Sequence, residues 1–292
     1  MKDRVAIAPI KRLGNGEPRS DQDLVAVESP LTLAIRQTRQ PETRSLGVLM
    51  RTPGDDRDLV LGLLYAERVI RRLEDVIDIR VKPCPAAEDA GADTPHREIV
   101  AQEAHSSIEV ELADDVDIDT STIERASLGT SACGLCGRLA VGGLDVLAGH
   151  ALAVDRPRVR AATITSLPAK LREGQTVFAE TGGLHAAGLF DAHGHLLAVR
   201  EDVGRHNAVD KLVGAALSAG WLPARETILA VSGRVAYEIV QKTIMAGVPI
   251  LVAVGAPSSL AVEAARAGNL TLVGFVREGR FNVYSGMERL GD

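Results

Sequence analysis

The segment TSACGLCGRLA, residues 130 to 140, holds Cys133 and Cys136 with a glycine after each. A Cys-x-x-Cys pair can supply half of a zinc site, cycle between dithiol and disulfide, or carry sulfur to another molecule. Zinc takes four ligands, and structural sites with this spacing normally show a second Cys-x-x-Cys or two closely spaced histidines. The third cysteine, Cys84, stands alone between prolines, and His193 with His195 sits in DAHGHL, where a polar hairpin turn accounts for both. A zinc deaminase would need a proline before the first cysteine, and Ala132 stands there. Gly134 and Gly137 let the backbone bend and approach a ligand, and a thiol in this motif can have its pKa lowered to about 3.5–7.5, which makes it a thiolate at cell pH. The preceding residues, STIERASLGTS, are polar and turn-forming, a poorer fit to a thioredoxin-type dithiol, which follows a buried strand. Reactive thiols are the favoured reading, with structural zinc and a buried inert pair as its rivals.

A second group of chemical side chains lies in VREDVGRHNAVDKLVGAAL. Glu201, Asp202, Arg205, His206, Asp210 and Lys211 surround the start of a helix whose apolar face is Val209, Leu212, Val213 and Leu217. Acids before a helix complement its dipole, so a solvated helix start explains the group as well as an anion site does. Two turns follow apolar strands: Ser232-Gly233-Arg234 after ILAV, and Gly255 to Ser259 after LVAV. Strand ends of a parallel sheet face the usual binding crevice, where helix N-termini offer free N–H groups to phosphates. Neither turn matches a P-loop or a G-x-G-x-x-G pattern. Arg277 and Arg280 in FVREGR can close on a phosphate or decorate a hairpin.

These groups need a scaffold, and the pattern of apolar residues outlines one. Residues 1 to 20 are polar with Gly and Pro, which predicts a loose tail. LTLAIRQT and RSLGVLMR predict strands, the second stopped by Pro53 and Gly54, with Asp55 or Asp56 placed to cap the next helix. In DRDLVLGLLYAERVIRR, helical spacing puts Leu59, Leu63, Ala66 and Ile70 on one face. VIDIRVK and SSIEVELADD predict strands around a Pro/Ala/Asp-rich interruption, residues 83 to 95. A small α+β domain over residues 21 to 120 contains these elements. From Val177 onward the pattern predicts a strand, a Gly/His loop, a hairpin and a helix. ETILAVSG, YEIVQKTIMAG, VPILVAVGA, SSLAVEAARAG and LTLVGFVREGRFNVYS then alternate strand and helix before closing as paired strands. Continuous Val/Ile/Leu strands separated by helices indicate a layered α/β domain over residues 121 to 292, its sheet covered on both faces.

The 292-residue chain is longer than one core normally organises, which favours two unequal domains. Aromatic residues make up only 3 %, so Ala, Val and Leu must fill the core. A net charge of −6 provides no overall attraction for nucleic acid or an anionic membrane, so an anion must be held locally. The amino terminus lacks a signal-peptide pattern, and no apolar run reaches the roughly 20 residues that span a bilayer. A cytoplasmic protein with neither nucleic-acid nor membrane partner is expected, and three cysteines are too few for a disulfide framework.

Taken together, SACGLCG, ETGGLHAAGLF, REDVGRHNAVDKLVG, SGRVAYEIVQKTIMAGVPI and GNLTLVGFVREGRFNVYSG resemble the formate dehydrogenase accessory sulfurtransferase family, FdhD. The resemblance runs over about residues 45 to 292 and is densest after residue 125. It implies a small N-terminal domain and a larger domain of cytidine-deaminase-like fold. The activity it implies is sulfur transfer: a cysteine persulfide is accepted from a cysteine desulfurase, and its sulfur passes to molybdenum bis(molybdopterin guanine dinucleotide), bound as substrate. The sulfurated cofactor then serves formate dehydrogenase. Cys133 matches the persulfide carrier, Cys136 the second cysteine of the motif, and Phe275, Val276, Arg277, Glu278, Gly279 and Arg280 the cofactor-binding segment. Ser232 and Arg234 join that site from their strand end. No structural metal is implied, a homodimer is compatible with this reading, and residues 83 to 105 with Cys84 inherit no role. A non-catalytic chaperone for the same cofactor is the alternative.

Overall fold

The computed structural model describes residues 4–14, 17–83, 106–118, 147, 149–153 and 157–291. Cys84, Cys133 and Cys136 lie outside the described residues. The chain opens with strands β1 (Val5–Arg12) and β2 (Arg19–Ala26), paired antiparallel as a separate ribbon. Part of the expected tail is therefore a hairpin. Its base is tied down by tertiary contacts that local composition does not reveal: Arg4 Nη2 donates to Asp55 Oδ2 at 2.7 Å, and the Val27 N–H donates to the Arg4 carbonyl.

Strands β3 (Ser29–Gln37) and β4 (Gln40–Arg51), helix α1 (Asp56–Ala66), and strands β5 (Val76–Pro83) and β6 (Ser106–Leu112) form the first packed layer pair. The sheet order is β4-β3-β6-β5, with β3 and β6 parallel. Alternation in β3 turns Leu31, Leu33 and Ile35 inward, and Ile108, Val110 and Leu112 of β6 do the same. Together with Leu59, Leu63 and Leu64 of α1 they make one core, which Leu217 helps to close from the other half of the chain. Asp55 occupies the position before α1, yet its side chain does not cap the helix but holds Arg4. Asp56 instead takes both forks of the buried Arg51, at 2.9 and 3.0 Å.

The second half contains β7 (Val159–Arg160), α2 (Ala161–Glu173), α3 (Thr176–Thr181), β8 (His185–Asp191), β9 (Leu196–Asp202) and α4 (Arg205–Ser218). It continues through β10 (Thr227–Val231), α5 (Tyr237–Met245), β11 (Ile250–Ala253), α6 (Ser259–Ala267), β12 (Thr271–Arg277), β13 (Arg280–Ser285) and β14 (Leu290–Gly291). Six strands form a sheet in the order β13-β12-β11-β10-β8-β9. Only β10, β11 and β12 run parallel to one another, so the sheet is mixed. Alternate residues feed two cores. Leu229, Val231, Leu251 and Ala253 face α4, α5 and α6, whereas Ile228, Ala230, Ile250 and Val252 face α2. Burial on both faces is why these strands read as unbroken apolar runs.

The expected strand at Val177 is helix α3. The Glu201 carboxylate, from the end of β9, accepts the N–H groups of Val177 at 3.0 Å and Phe178 at 2.9 Å. Those are first-turn donors with no intrahelical partner, so a side chain more than 20 residues away completes this helix start. The two halves meet where α1 crosses α4. A Cβ added at Gly62 would fall 1.8 Å from the Asp210 carbonyl oxygen, and one at Gly214 would fall 1.9 Å from that of Asp58. Backbones approach this closely only because both residues lack a side chain.

Candidate functional site

Because β10, β11 and β12 run parallel, their C-terminal ends share one edge, the position where open α/β sheets bind ligands. The turns there are stacked on one another. Ser232 donates its N–H to the Ala186 carbonyl at 3.0 Å, and its Oγ accepts the Ala186 N–H at 2.9 Å. Gly255 donates to the Gly233 carbonyl at 3.2 Å, and Phe275 donates to the Gly255 carbonyl at 3.1 Å. A Cβ at Gly255 would lie 2.7 Å from that Gly233 oxygen, so glycine is required for the turns to nest. Ser258 begins α6 with its Oγ accepting the Ala261 N–H at 3.2 Å.

The side chains around the start of α4 divide into two groups. Asp202 is fully buried and accepts four bonds: from Lys211 Nζ at 2.8 Å, the Thr52 N–H at 3.1 Å, the Gly204 N–H at 2.8 Å and Asn207 Nδ2 at 2.9 Å. Glu201 holds α3, and Asp210 pairs with Lys242 Nζ at 2.7 Å between α4 and α5. These acids and Lys211 build the scaffold. Arg205 Nε and His206 Nε2, by contrast, are buried with no hydrogen-bond partner among the described residues.

Those two residues lie near His185 and Arg234, and the charge of this cationic patch comes from its two guanidinium groups. Burial lowers the His185 pKa first and the Arg205 and Arg234 charges lower it further, against the pull of Asp202. Burial, then Lys242, Arg205 and His185, pushes His206 down to about 3, leaving it neutral at cell pH; Glu238 Oε2 stands 3.9 Å from its Nε2. Burial also lifts Asp210 to about 6 despite Lys242, whereas Asp210 and Glu67 raise Lys242 in spite of its burial. Beside the patch is a cleft of about 510 Å³ lined by Arg172, Gln175, Phe178, His185, Ser232 and Val254. The Arg172 guanidinium lies 3.8 Å over the Phe178 ring. Gln175 Nε2 is a further buried atom with no partner among the described residues. Cationic side chains beside a partly apolar cleft suit an anionic ligand that also carries a ring.

A pH prediction follows from His206. Its folded pKa lies below the usual 6.5, so the unfolded chain binds the extra proton, and stability falls as pH drops from 6.5 toward about 3. Asp210 works in the opposite sense, its contribution complete below 3.8 and lost as pH rises through about 6. Urea midpoints at several pH values should therefore show a shallower acid loss in His206→Gln than in the parent. An unchanged slope would remove His206 as a source of that loss.

The structure brings the turn Ser232-Gly233-Arg234 and the segment FVREGR onto the same edge. Ser232 and Arg234 follow β10, while Phe275, Val276 and Arg277 end β12 and Arg280 begins β13. Arg277 Nη1 donates to the carbonyls of Val254 at 2.8 Å and Val276 at 2.9 Å. Glu278 and Gly279 form the hairpin tip, Arg280 is exposed, and the Val276 side chain is buried in the core. Cys133 and Cys136 are outside the described residues, as is His96-Arg97-Glu98, which does have the H-x-E spacing of zinc deaminases although the proline before Cys133 is missing. His193 and His195 sit in the hairpin turn as expected, their N–H groups and His195 Nδ1 all bonded to Asp191. Among the described residues no three His, Cys, Asp or Glu side chains converge as metal ligands, and no helix is long and apolar enough to cross a membrane. Sequence reading missed Arg172 and Gln175, because it predicted no helix over residues 161 to 173; helical apolar spacing at Ile164, Leu167 and Leu171 was the available signal.

The sequence model of the FdhD/NarQ family matches residues 26–291. The chain belongs to the FdhD/NarQ family. Within it, a sulfur carrier protein FdhD from Nocardia farcinica is 47 % identical over 269 residues, covering 92 % of this chain and 88 % of that one. The sulfur carrier protein FdhD of Saccharolobus solfataricus is 40 % identical over 287 residues, 98 % of both chains. A crystal structure provisionally assigned as a formate dehydrogenase accessory protein, from Desulfotalea psychrophila, superimposes with a TM-score of 0.70 at 23 % identity. It covers 99 % of this chain and 100 % of that one, and so shares the mixed α/β fold.

Proposed function

We propose that this FdhD/NarQ chain is a sulfur carrier that serves a formate dehydrogenase. Membership of a family whose similar members are named sulfur carrier proteins carries the reading. In it, the Cys133 thiolate attacks the outer sulfur of a persulfide on a cysteine desulfurase. A new S–S bond forms on Cys133, the donor's S–S bond breaks, and the donor cysteine leaves as a thiolate that takes up the proton. Cys136 assists the onward release of sulfur. The acceptor is molybdenum bis(molybdopterin guanine dinucleotide), bound as substrate at the strand-end edge, and the layered domain is of the cytidine-deaminase-like type.

The cationic patch and cleft support this acceptor, because two pyrophosphates linked to planar rings need both charge and apolar walls. Intact mass after incubation with desulfurase and cysteine tests the carrier step: a gain of about 32 Da, one sulfur atom, on Cys133 is expected. No gain, with cofactor binding retained, would leave a non-catalytic chaperone. Calorimetric titration with GDP tests the anchor. Arg280→Ala removes a charge-assisted hydrogen bond to phosphate and should weaken binding roughly tenfold. Parent-like affinity in both Arg277→Ala and Arg280→Ala would move the phosphate site to Ser232–Arg234.

A further inference from the structure

Gln175 is only 4 % exposed, and its Nε2 is a buried donor with no partner among the described residues. Burying an amide N–H without a hydrogen bond is costly, so such an atom calls for a reason. The backbone of Gln175 is fully used: its N–H donates to the Arg172 carbonyl at 3.1 Å, and its own carbonyl accepts the Ala179 N–H at 3.1 Å. A residue in this place, directly before α3, ordinarily caps the helix with its side chain. Glu201 has taken that task by accepting the Val177 and Phe178 N–H groups, and the Gln175 side chain makes no bond to the helix start. The amide is therefore not needed to build the fold.

It borders the cleft of about 510 Å³ enclosed by α2, α3 and the strand ends, a volume that accepts a bicyclic ring. Pro168, Leu171 and Val254 supply apolar walls. Arg172 stands at one side with its guanidinium 3.8 Å over the Phe178 ring, and because Arg172 is exposed, the opposite guanidinium face is open to a second ring. No carboxylate lines this cleft, and neither do Phe275 to Arg280.

We infer that the cleft between α2 and α3 binds a planar ring that carries a lactam, a ring carbonyl beside a ring N–H, with Gln175 hydrogen-bonded to the lactam edge and Arg172 stacked on the ring face. Guanine and pterin share that edge, so the inference rests on the proposed pterin-nucleotide substrate and names residues that select its ring. Nε2 donates to the ring carbonyl, and the amide oxygen of the same side chain can accept the neighbouring ring N–H. Adenine has an amino group where guanine has the carbonyl, which sets donor against donor. A buried donor rejects such an analogue because it is left unpaired when the analogue binds.

Calorimetric titrations of the full chain with GDP, ADP and 6-carboxypterin test the cleft in the parent, Gln175→Leu and Arg172→Lys. Gln175→Leu should weaken GDP or 6-carboxypterin roughly tenfold, and the weakened probe identifies the base or the pterin as the ring in the cleft. ADP, which has no ring carbonyl, should bind the parent and Gln175→Leu alike. Arg172→Lys, an exposed change that keeps the charge and loses the planar face, should weaken the same lactam probe roughly fivefold, a result that stands even if Gln175→Leu does not fold. Gln175→Leu should also raise the urea midpoint of the free protein, since a leucine leaves no donor unpaired. Parent-like binding of GDP and 6-carboxypterin by both variants would overturn the cleft assignment and leave the proposed substrate standing. A lower midpoint with equal losses for all three probes would overturn it too, as damage to the fold. Failure of the parent to bind either GDP or 6-carboxypterin would overturn both the cleft assignment and the proposed substrate.

Discussion

Cys133→Ala should reduce the activity of the dependent formate dehydrogenase to the level seen in cells lacking this protein altogether. An alanine has no sulfur on which a persulfide can form, so the loss is of the chemical step rather than of affinity, and no other side chain of residues 130 to 140 except Cys136 can replace it. The purified variant should show no mass gain with desulfurase and cysteine while retaining the parent's circular dichroism and GDP affinity. Cys136→Ala should keep the mass gain and lose activity less completely. Parent-like formate dehydrogenase activity with Cys133→Ala would refute the assignment, and a complete loss confined to Cys136→Ala would exchange the two roles.

The largest effect on stability is expected from Asp202→Ala. The carboxylate and the Lys211 ammonium are both fully buried at 2.8 Å, and the same carboxylate ties the loop after β4 to the start of α4. Among the described residues, removing it leaves Lys211 with only the carbonyls of Thr52 at 2.8 Å and Glu201 at 3.5 Å. An uncompensated buried charge costs about 3–5 kcal/mol, which should appear as a lower urea midpoint. Replacing both partners, as Asp202→Ala with Lys211→Met, should recover much of the loss, because the unpaired charge is gone. A double variant no more stable than Asp202→Ala would show that the Thr52 and Gly204 bonds, and not the ion pair, dominate.

Elements whose signal is local were legible in the residues alone. Unbroken apolar runs marked β10, β11 and β12 because both faces of that sheet are covered, and period-two alternation marked β3 because one face is. Helical spacing found α1, α4, α5 and α6, and the strings around CGLC and REDVGRHNA were enough to identify the family. Elements completed by distant partners were not legible. Helix α3 depends on Glu201, and the first hairpin is anchored through Arg4 and Asp55, contacts between residues far apart in sequence. Tertiary structure alone also separated the titratable side chains of REDVGRHNAVDK into a scaffold of Arg200, Glu201, Asp202, Asp210 and Lys211 and a pair, Arg205 and His206, with buried nitrogens that have no hydrogen-bond partner among the described residues. Neighbouring titratable groups look alike in a sequence, and only the burial and partners of each decide whether it is tied into the fold. Likewise, the exposure of Phe275 in β12 comes from a bulge, which arises from register between two strands that neither strand specifies alone.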